Sequence, residues 1–268
     1  LHTAYRRQRQ MCIRDRSRSQ LEAVVEYVDK YCKANGVKKL PDICLPALEE
    51  VIVYDAELAH NDTPLSTTAV IGIYDDPDRQ RQGRTVIEIG NKNTIIIGAS
   101  QFGKTNLLEL IVRNLAENYS PEELSIYIID FASMVLKNFE KLAHVGGVVC
   151  PSDDERLKNL FKYLSEQIEE RRERLLEAGV SSYTSYREAG FTDIPQIVVL
   201  IDNYTALKEL YLQDSDILLN LCREGGSVGI SFIISNLQTT GLGYKYLANF
   251  SGRIAMFCNE SSLSLIHI

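Results

Sequence analysis

A glycine-rich segment that ends in lysine and threonine carries the strongest chemical signal in the chain. Gly98–Thr105 fills the pattern G-x-x-x-x-G-K-[ST] without a mismatch. The glycines allow backbone N–H groups to curl around phosphate oxygens, and a following helix adds the positive end of its dipole. In this pattern Lys104 reaches the outer phosphates and Thr105 places its hydroxyl on Mg²⁺. The segment predicts an ATP and Mg²⁺ site with the loop residues Gly98, Ala99, Ser100, Gln101, Phe102, Gly103, Lys104, Thr105 and Asn106.

The flanking sequence supports a phosphate loop over an ordinary glycine-containing turn between strand and helix. Thr94–Ile97 is an apolar run typical of a buried strand. From Lys104 onward the apolar residues recur at helical spacing, at Leu107, Leu108, Ile111 and Leu115. A strand before the loop and a helix after it are what phosphate binding by backbone groups requires.

A second candidate position follows the apolar run Ile197–Ile201. Asp202 stands there, and in proteins with a phosphate loop such an acid holds Mg²⁺, although it could also cap the next helix. ATPases of this type normally carry Glu at the next position, where this chain has Asn203. Because an amide cannot accept a proton as a carboxylate does, the usual general base is missing. Asn203 as a plain left-handed turn residue is the alternative, and the sequence leaves it open.

Polar residues also follow two other apolar runs. Asn236, after Phe232–Ser235, is the predicted sensor of the γ-phosphate, with Gln238 as the second candidate. Asp130, after Tyr127–Ile129, is either part of the same site or a helix cap. In a parallel sheet the carboxyl ends of the strands meet at one edge, so these positions are expected near the loop.

The elements that must position these residues follow from short β-branched runs that alternate with helical patterns. The predicted strands are Thr85–Ile89, Thr94–Ile97, Ser125–Ile129, Val145–Val149, Ile197–Ile201, Ser231–Ser235 and Ile254–Phe257. The predicted helices between them are Lys104–Glu117, Asp153–Ala178 and Ser215–Arg223. This alternation predicts an α/β fold of the RecA-like P-loop kind, with a mostly parallel central sheet and helices on both faces.

The chain outside this domain is predicted in three parts. Residues 18–69 hold an amphipathic helix, Gln20 to Lys33, and a connector with two Leu-Pro pairs, and the main domain covers 70–261. Residues 1–17 are either a basic arm or non-native sequence that resembles translated sequencing-adapter DNA. We prefer the second interpretation, extend it to 262–268, and exclude both ends from the fold. The mixed run Glu169–Arg174 in the long helix predicts a solvated, self-paired face.

Composition limits the class of function. No apolar run approaches the length of a membrane-spanning helix, and the six cysteines form no C-x-x-C pair, which favours a reducing cytoplasm. The formal net charge is −7, and without residues 1–17 there remain 24 basic against 35 acidic residues. Such an acidic body is a poor partner for the phosphate backbone of DNA.

Several segments together resemble the FtsK/SpoIIIE-type ATPase modules, and in particular the tandem modules of the type VII secretion ATPases EssC and EccC. The resemblance runs from about Ile71 to Asn259. Its lead-in is Ile71–Gln80, with the form Gly-x-x-Asp-x-Pro-x-x-Gln. Phe139–Val149 resembles the segment after the second core strand, and Asn249–Ala255 resembles the Asn-x-x-x-Arg-Ile stretch of the family. The connector at 40–48 resembles the linker between modules.

This resemblance implies a membrane-anchored motor that exports small helical WXG100-type proteins, with this module on the cytoplasmic face of the membrane. Neighbouring ATPase modules are then partners, and Arg253 completes a neighbour's site in trans. The membrane is reached only through other parts of the protein. The implied catalytic set is Lys104, Asp202, Asn203, Asn236 and Arg253, with Thr105 and Asp202 on the metal. The departure at Asn203 resembles the degenerate later modules, so ATP binding with weak or regulatory hydrolysis is expected.

Three functions remain in competition at this point. The first is an energy-coupling, ATP-binding module of a secretion ATPase. The second is a DNA translocase of the same superfamily, against which the acidic body and the missing base both argue. The third is a nucleotide-locked module that binds export signals and regulates its neighbours without hydrolysis.

Overall fold

The fold is seen in a computed structural model, which describes residues 19–38, 40, 44–55, 59–60, 66–211, 216–238 and 242–258. The terminal segments 1–17 and 262–268, interpreted above as non-native, lie outside the described residues. So do parts of the predicted connector, together with Ser215 and Asn259 at the ends of predicted segments.

The chain divides into two compact units. The smaller unit comprises the described residues up to Ala47 together with Asp76–Arg81. Its helix α1, Gln20–Ala34, is the predicted amphipathic helix. The Ser19 side chain accepts a hydrogen bond from the Glu22 backbone N–H, and the Glu22 carboxylate accepts one from the Ser19 backbone N–H, which fixes where the helix begins. In the connector, the described residues Leu45–Ala47 belong to neither helix nor strand.

The larger unit is built on a six-stranded sheet with the order β5-β4-β6-β7-β3-β8. Its strands are β3 Thr94–Ile97, β4 Leu124–Asp130, β5 Val145–Val149, β6 Gln196–Asp202, β7 Ile230–Asn236 and β8 Gly252–Ala255. Every adjacent pair runs parallel. β6 and β7 are buried along their whole length, as strands covered on both faces must be.

Helices cover both faces of this sheet, and two apolar clusters form the core. Alternate residues of β3 divide between them, since Ile95 and Ile97 belong to one cluster and Ile96 to the other. The helices of the larger unit are α2 Lys104–Asn118, α3 Asp154–Glu177, α4 Tyr183–Glu188, α5 Tyr204–Tyr211, α6 Ile217–Gly225 and α7 Tyr244–Leu247. This arrangement confirms the predicted α/β fold. Among the helices that the structure describes, none combines the length and apolarity that crossing a membrane requires.

The predicted strand at 85–89 does not belong to the central sheet. It is the end of β2, Arg81–Glu88, which forms a separate two-stranded sheet with β1, Thr68–Asp76. Along β2 no residue is fully buried, whereas the strands of a covered parallel sheet are buried on both faces. The prediction of a strand was therefore correct, but the sheet to which this strand belongs was wrong.

The last strand, β8, begins two residues earlier than predicted, at Gly252. Gly252 lies level with Thr94 of β3, and a Cβ atom on Gly252 would collide with the Thr94 hydroxyl. The absence of a side chain is what lets the edge strand pair closely with β3 at this point.

The charged run of α3 is only partly a solvated face. Arg172 pairs with Glu169, and Arg174 with Glu170, as the mixed charges predict. Arg171 is instead 3% exposed and donates to the carbonyl oxygens of Val228 and Gly229 at 3.1 and 3.2 Å. The prediction was wrong for this residue because helical spacing places it on the inner face of α3, among leucine and isoleucine side chains.

Asn93, at the start of β3, joins three separate segments. Its side-chain carbonyl accepts the backbone N–H of Phe232 at 2.9 Å. Its amide donates to the carbonyl oxygens of Cys222 at 2.7 Å and Asn249 at 3.1 Å. Asn93 is 6% exposed, so these backbone groups have little access to water if the side chain is lost. This one residue therefore fixes β7 and the approach to β8 beside the strand that carries the loop.

Asn93→Ala should lower the free energy of unfolding by about 3 kcal/mol, because it leaves a buried N–H and buried carbonyl groups without partners. Urea denaturation followed by circular dichroism measures the loss. Asn91→Ala, at an exposed position two residues earlier, is the matched control and should have almost no effect. Equal stability of the two variants would show that these hydrogen bonds do not hold the strands together.

Candidate nucleotide-binding site

The predicted phosphate loop joins the end of β3 at Ile97 to the start of α2 at Lys104. Gly103, the residue before the helix, has φ of 82°, a value that favours glycine. At Gly98 the constraint is space, since an added Cβ would lie 2.9 Å from the Cβ of Met256. The two glycines of the motif are thus required by backbone conformation and by packing, respectively.

Lys104 turns back across its own loop. Its ammonium donates to the carbonyl oxygens of Gly98 at 2.9 Å and Ala99 at 2.8 Å. Burial lowers the pKa of Lys104, and the nearby Asp202 carboxylate opposes this change. The ammonium is therefore held inside the curve of the loop, where phosphate oxygens could replace the two carbonyl groups.

The two predicted metal ligands lie in contact. The Thr105 hydroxyl donates to Oδ2 of Asp202 at 2.7 Å. Ser235, on the intervening strand β7, donates its hydroxyl to the other oxygen, Oδ1. Asp202 is 1% exposed, so these hydroxyls replace the water that a carboxylate would otherwise bind. A carboxylate and a hydroxyl oxygen beside a phosphate loop fit Mg²⁺, which Thr105 and Asp202 would hold there and which would supply positive charge to the phosphate groups.

Asn203 adopts the left-handed turn conformation that the sequence left open, with φ of 66°. Its side-chain oxygen accepts the backbone N–H of Ala206 at 3.3 Å, within the first turn of α5, and its amide donates to the carbonyl of Phe131 at 3.2 Å. Its own N–H donates to the Ser235 hydroxyl at 3.0 Å. Both ends of the amide are thus used in fixing the turn.

Asn236, the predicted γ-phosphate sensor, is 1% exposed at the end of β7. Its side-chain oxygen accepts the Thr205 hydroxyl at 2.7 Å and the Thr205 backbone N–H at 3.2 Å. Its amide donates to the carbonyl of Gln238 at 2.7 Å, and the Gln238 residue is exposed. The Asn236 carbonyl accepts the N–H of Gly98 at 3.2 Å. The structure brings Asn236 beside the loop through its backbone, while its side chain fixes the start of α5.

Asp130 lies in register with Asp202 on the neighbouring strand and has no exposed surface. Its two oxygens accept the backbone N–H groups of Ala132 and Leu136, each at 3.1 Å. Leu136 lies in the short 3-10 helix Val135–Lys141. The carboxylate therefore acts as a cap for the segment after β4, which is the alternative that the sequence allowed.

Arg253 is exposed on the edge strand β8, level with Ile95 in the middle of β3. Its Nε donates to the carbonyl of Phe250 at 3.4 Å. Its backbone therefore lies level with the second residue of β3, whereas the loop begins after the last, Ile97.

Sequence reasoning missed the segment after β8, which lies against the loop. The N–H of Met256 donates to the carbonyl of Ile97 at 2.7 Å, and the N–H of Ala99 donates to the carbonyl of Phe257 at 2.8 Å. It also missed Ser235, the second partner of Asp202. These contacts depend on pairing between strands that are distant in sequence, so no local spacing indicates them.

Comparison with known proteins agrees with this geometry. The family model described as "FtsK/SpoIIIE family" matches residues 76–244. The ESX secretion system protein EccC of Geobacillus thermodenitrificans (strain NG80-2) is 26% identical over 250 residues, which cover 93% of this chain. The matched part spans only 17% of the length of that relative.

Solved structures show the same likeness. EssC (ATPases 2 and 3) from Geobacillus thermodenitrificans matches with a TM-score of 0.73 and 26% identity, over 84% of this chain and 42% of that one. Thermomonospora curvata EccC (ATPases 2 and 3), solved in complex with a signal sequence peptide, matches with a TM-score of 0.65 and 23% identity, over 70% of this chain and 36% of that one. The predicted resemblance to ATPase modules of the FtsK/SpoIIIE type, and to the later modules of EssC and EccC, is confirmed.

Thr105→Val tests the metal assignment, because it removes the hydroxyl that contacts Asp202 and keeps the side chain almost the same size. We expect binding of ATP with Mg²⁺ to weaken about tenfold, since a hydrogen bond to a charged group contributes about 1.5–3 kcal/mol. Calorimetry with Mg²⁺ and with EDTA measures the change, which should vanish in EDTA. Thr105→Ser keeps the hydroxyl and should retain the Mg²⁺ effect. Undiminished Mg²⁺ dependence in Thr105→Val would rule out this metal site.

Proposed function

The chain belongs to the FtsK/SpoIIIE family, and we propose that it is an ATP-binding module of a type VII protein-secretion motor, with slow or regulatory hydrolysis. The observation that carries this proposal is the contrast between two neighbouring residues. Asp202 contacts Thr105 at the phosphate loop, whereas the side chain of Asn203 is used as a cap for α5. The module has what nucleotide binding needs, and Asn203 stands at the position where the acid that activates water is normally found.

Binding of ATP and Mg²⁺ rests on the loop and its two flanking ligands. The loop supplies backbone N–H groups at the N-terminus of α2, and Lys104 supplies a positive charge that already lies inside the loop. When bound, Mg²⁺ would neutralise charge on the outer phosphates and would be held by Thr105 and Asp202. Each of these groups lies at the carboxyl edge of the parallel sheet.

Slow hydrolysis follows from how the other polar groups at that edge are engaged. Asn203 carries no carboxylate, and the oxygens of Asp130 accept two backbone N–H groups. Attack by water on the γ-phosphate needs an oriented nucleophile and neutralisation of the developing charge. Arg253 is exposed on the edge strand β8, and its proposed role is to serve a neighbouring module in trans.

The matching relatives and the acidic charge of the chain both favour a role in protein secretion over DNA translocation. EccC and EssC are among the relatives that match, and a related EccC was solved with a signal sequence peptide. An acidic body, 24 basic against 35 acidic residues outside 1–17, suits a protein partner better than DNA. We therefore assign neighbouring ATPase modules and small WXG100-like export proteins as partners, on the cytoplasmic face of a bacterial membrane that other parts of the protein reach.

The nucleotide-locked alternative differs only in turnover. The engagement of Asn203, Asn236 and Asp130 in hydrogen bonds with backbone groups favours it as the second candidate. In that case ATP would stabilise the module and set the arrangement of its neighbours without being consumed.

Lys104→Ala should remove most of the affinity for ATP and leave the fold intact, because the ammonium contacts the loop and lies outside the apolar clusters. Isothermal titration calorimetry measures the affinity, and thermal unfolding without nucleotide checks the fold. Lys92→Ala, at an exposed lysine paired with Glu88, is the control and should bind ATP normally. Normal ATP binding by Lys104→Ala would contradict the assignment of the phosphate loop.

Asn203→Glu should raise the rate of ATP hydrolysis, most clearly when an arginine-donating neighbour is present, since an arginine supplied in trans contributes about 10³–10⁵ in rate. The substitution also removes a helix cap and should cost about 1 kcal/mol of stability, so activity is expressed per folded molecule. Asn203→Gln has the same length and strain without the carboxylate, and is the matched control. Rapid hydrolysis by the unmodified, isolated module would refute the account of the missing base.

A further inference from the structure

An aromatic pair lies on the outer side of the phosphate loop. Phe102, inside the motif, stacks on Phe257, which follows β8. The ring centroids are 4.5 Å apart and the planes differ by 29°. Despite this contact, Phe102 is 45% and Phe257 58% exposed. Two aromatic rings are thus partly in water next to the predicted site of a ligand.

The backbone holds Phe257 in this position. β8 pairs with β3, and the Met256 N–H extends that pairing by donating to the Ile97 carbonyl at 2.7 Å. The Phe257 carbonyl then accepts the N–H of Ala99, inside the loop, at 2.8 Å. The side chain of Met256 fills the space above Gly98, where a Cβ would come within 2.9 Å of it. The backbone that carries the ring is therefore fixed relative to the loop before any ligand binds.

The direction in which a nucleotide must lie follows from the strand order. The loop follows β3, which lies between β7 on one side and β8 on the other, and Asp202 ends β6, beyond β7. Outer phosphates held with Mg²⁺ by Thr105 and Asp202 would occupy the β7 side of the loop. The inner phosphate, ribose and base then extend away from Asp202, toward β8 and the aromatic pair.

We propose that Phe257, supported from behind by Phe102, is the stacking platform for the nucleotide base and gives the site a preference for purine nucleotides. This proposal rests on the proposed nucleotide-binding function and adds a residue that selects the base. More than half of the Phe257 surface is exposed and available to a ligand. A base stacked on an aromatic side chain gains affinity without needing specific hydrogen bonds. Purines, with two fused rings, cover more of such a side chain than pyrimidines do.

The opposing explanation is that the pair only braces the loop. Phe257 would then shape the loop through its contacts with Phe102 and Ala99. Its loss would weaken the binding of every ligand that is held through phosphate groups at the loop. The two explanations differ in one respect, which is whether a ligand without a base is affected.

Calorimetry in Mg²⁺ with ATP, GTP, UTP and inorganic tripolyphosphate separates them. We expect Phe257→Ala to lower the affinity for ATP about tenfold, which is the contribution of one stacked base, and to leave the affinity for tripolyphosphate unchanged. Phe257→Leu keeps an apolar contact with Phe102 but has no π-face, and should lose ATP affinity to the same extent. Phe257→Trp should retain or improve the affinity for ATP. The difference in affinity between ATP and UTP should become smaller in Phe257→Ala and Phe257→Leu only.

Phe191→Ala is the matched control, because Phe191 is also half-exposed, at 42%, and stacks on Tyr186 with centroids 4.6 Å apart, away from the loop. It should leave all four affinities unchanged. If Phe257→Ala loses affinity for ATP and tripolyphosphate equally, the stacking proposal is overturned and Phe257 only supports the loop. Unchanged ATP affinity in Phe257→Ala and Phe257→Leu, with binding still dependent on Lys104, would overturn the platform alone. A wild-type chain that binds neither ATP nor tripolyphosphate would overturn the proposed function and the platform together.

Discussion

The candidate site depends on a buried carboxylate that three parallel strands hold in place. Asp202, at the end of β6, accepts hydrogen bonds from Ser235 on β7 and from Thr105, which follows the loop after β3. A charge removed from water is tolerated only when such partners replace the water. Because a slip of one residue in a strand sends its side chains to the opposite face, the pairing of β6 with β7 and of β7 with β3 must be fixed for these oxygens to meet.

The polar residues at the carboxyl edge of the sheet fall into two groups with different contacts. Lys104 contacts a carbonyl oxygen of the loop, and Thr105 contacts Asp202. These three side chains are suited to binding phosphate and Mg²⁺. Asn203 and Asp130 are used by the backbone, one as a cap for α5 and the other as a cap after β4. Under the proposed function, this arrangement separates binding of a nucleotide from its hydrolysis. A module of this kind would contribute to a motor through its bound state and through the groups that it presents to neighbours.

How much of this the sequence could predict depends on the range of each interaction. The loop motif and the buried run of β6 are local patterns, so both were found. Asn236 was correctly placed at a strand end, but its side-chain partner, Thr205, lies on another element, and nothing near Asn236 indicates it. Arg171 was misread because charge is a weaker guide than its position on the inner face of α3. The β2 strand shows the same limit, since β-branched residues do not identify which sheet a strand joins.

The central claim is that the module binds ATP without splitting it readily, and a single-turnover experiment tests this most directly. The unmodified chain, in excess over radiolabelled ATP with Mg²⁺, is trapped on a filter at intervals and the bound nucleotide is identified by chromatography. The account predicts that label stays on the protein and that the bound nucleotide remains ATP over many minutes. Label bound as ADP within seconds would contradict the claim that the site lacks a base, and the absence of bound label would contradict the nucleotide site itself.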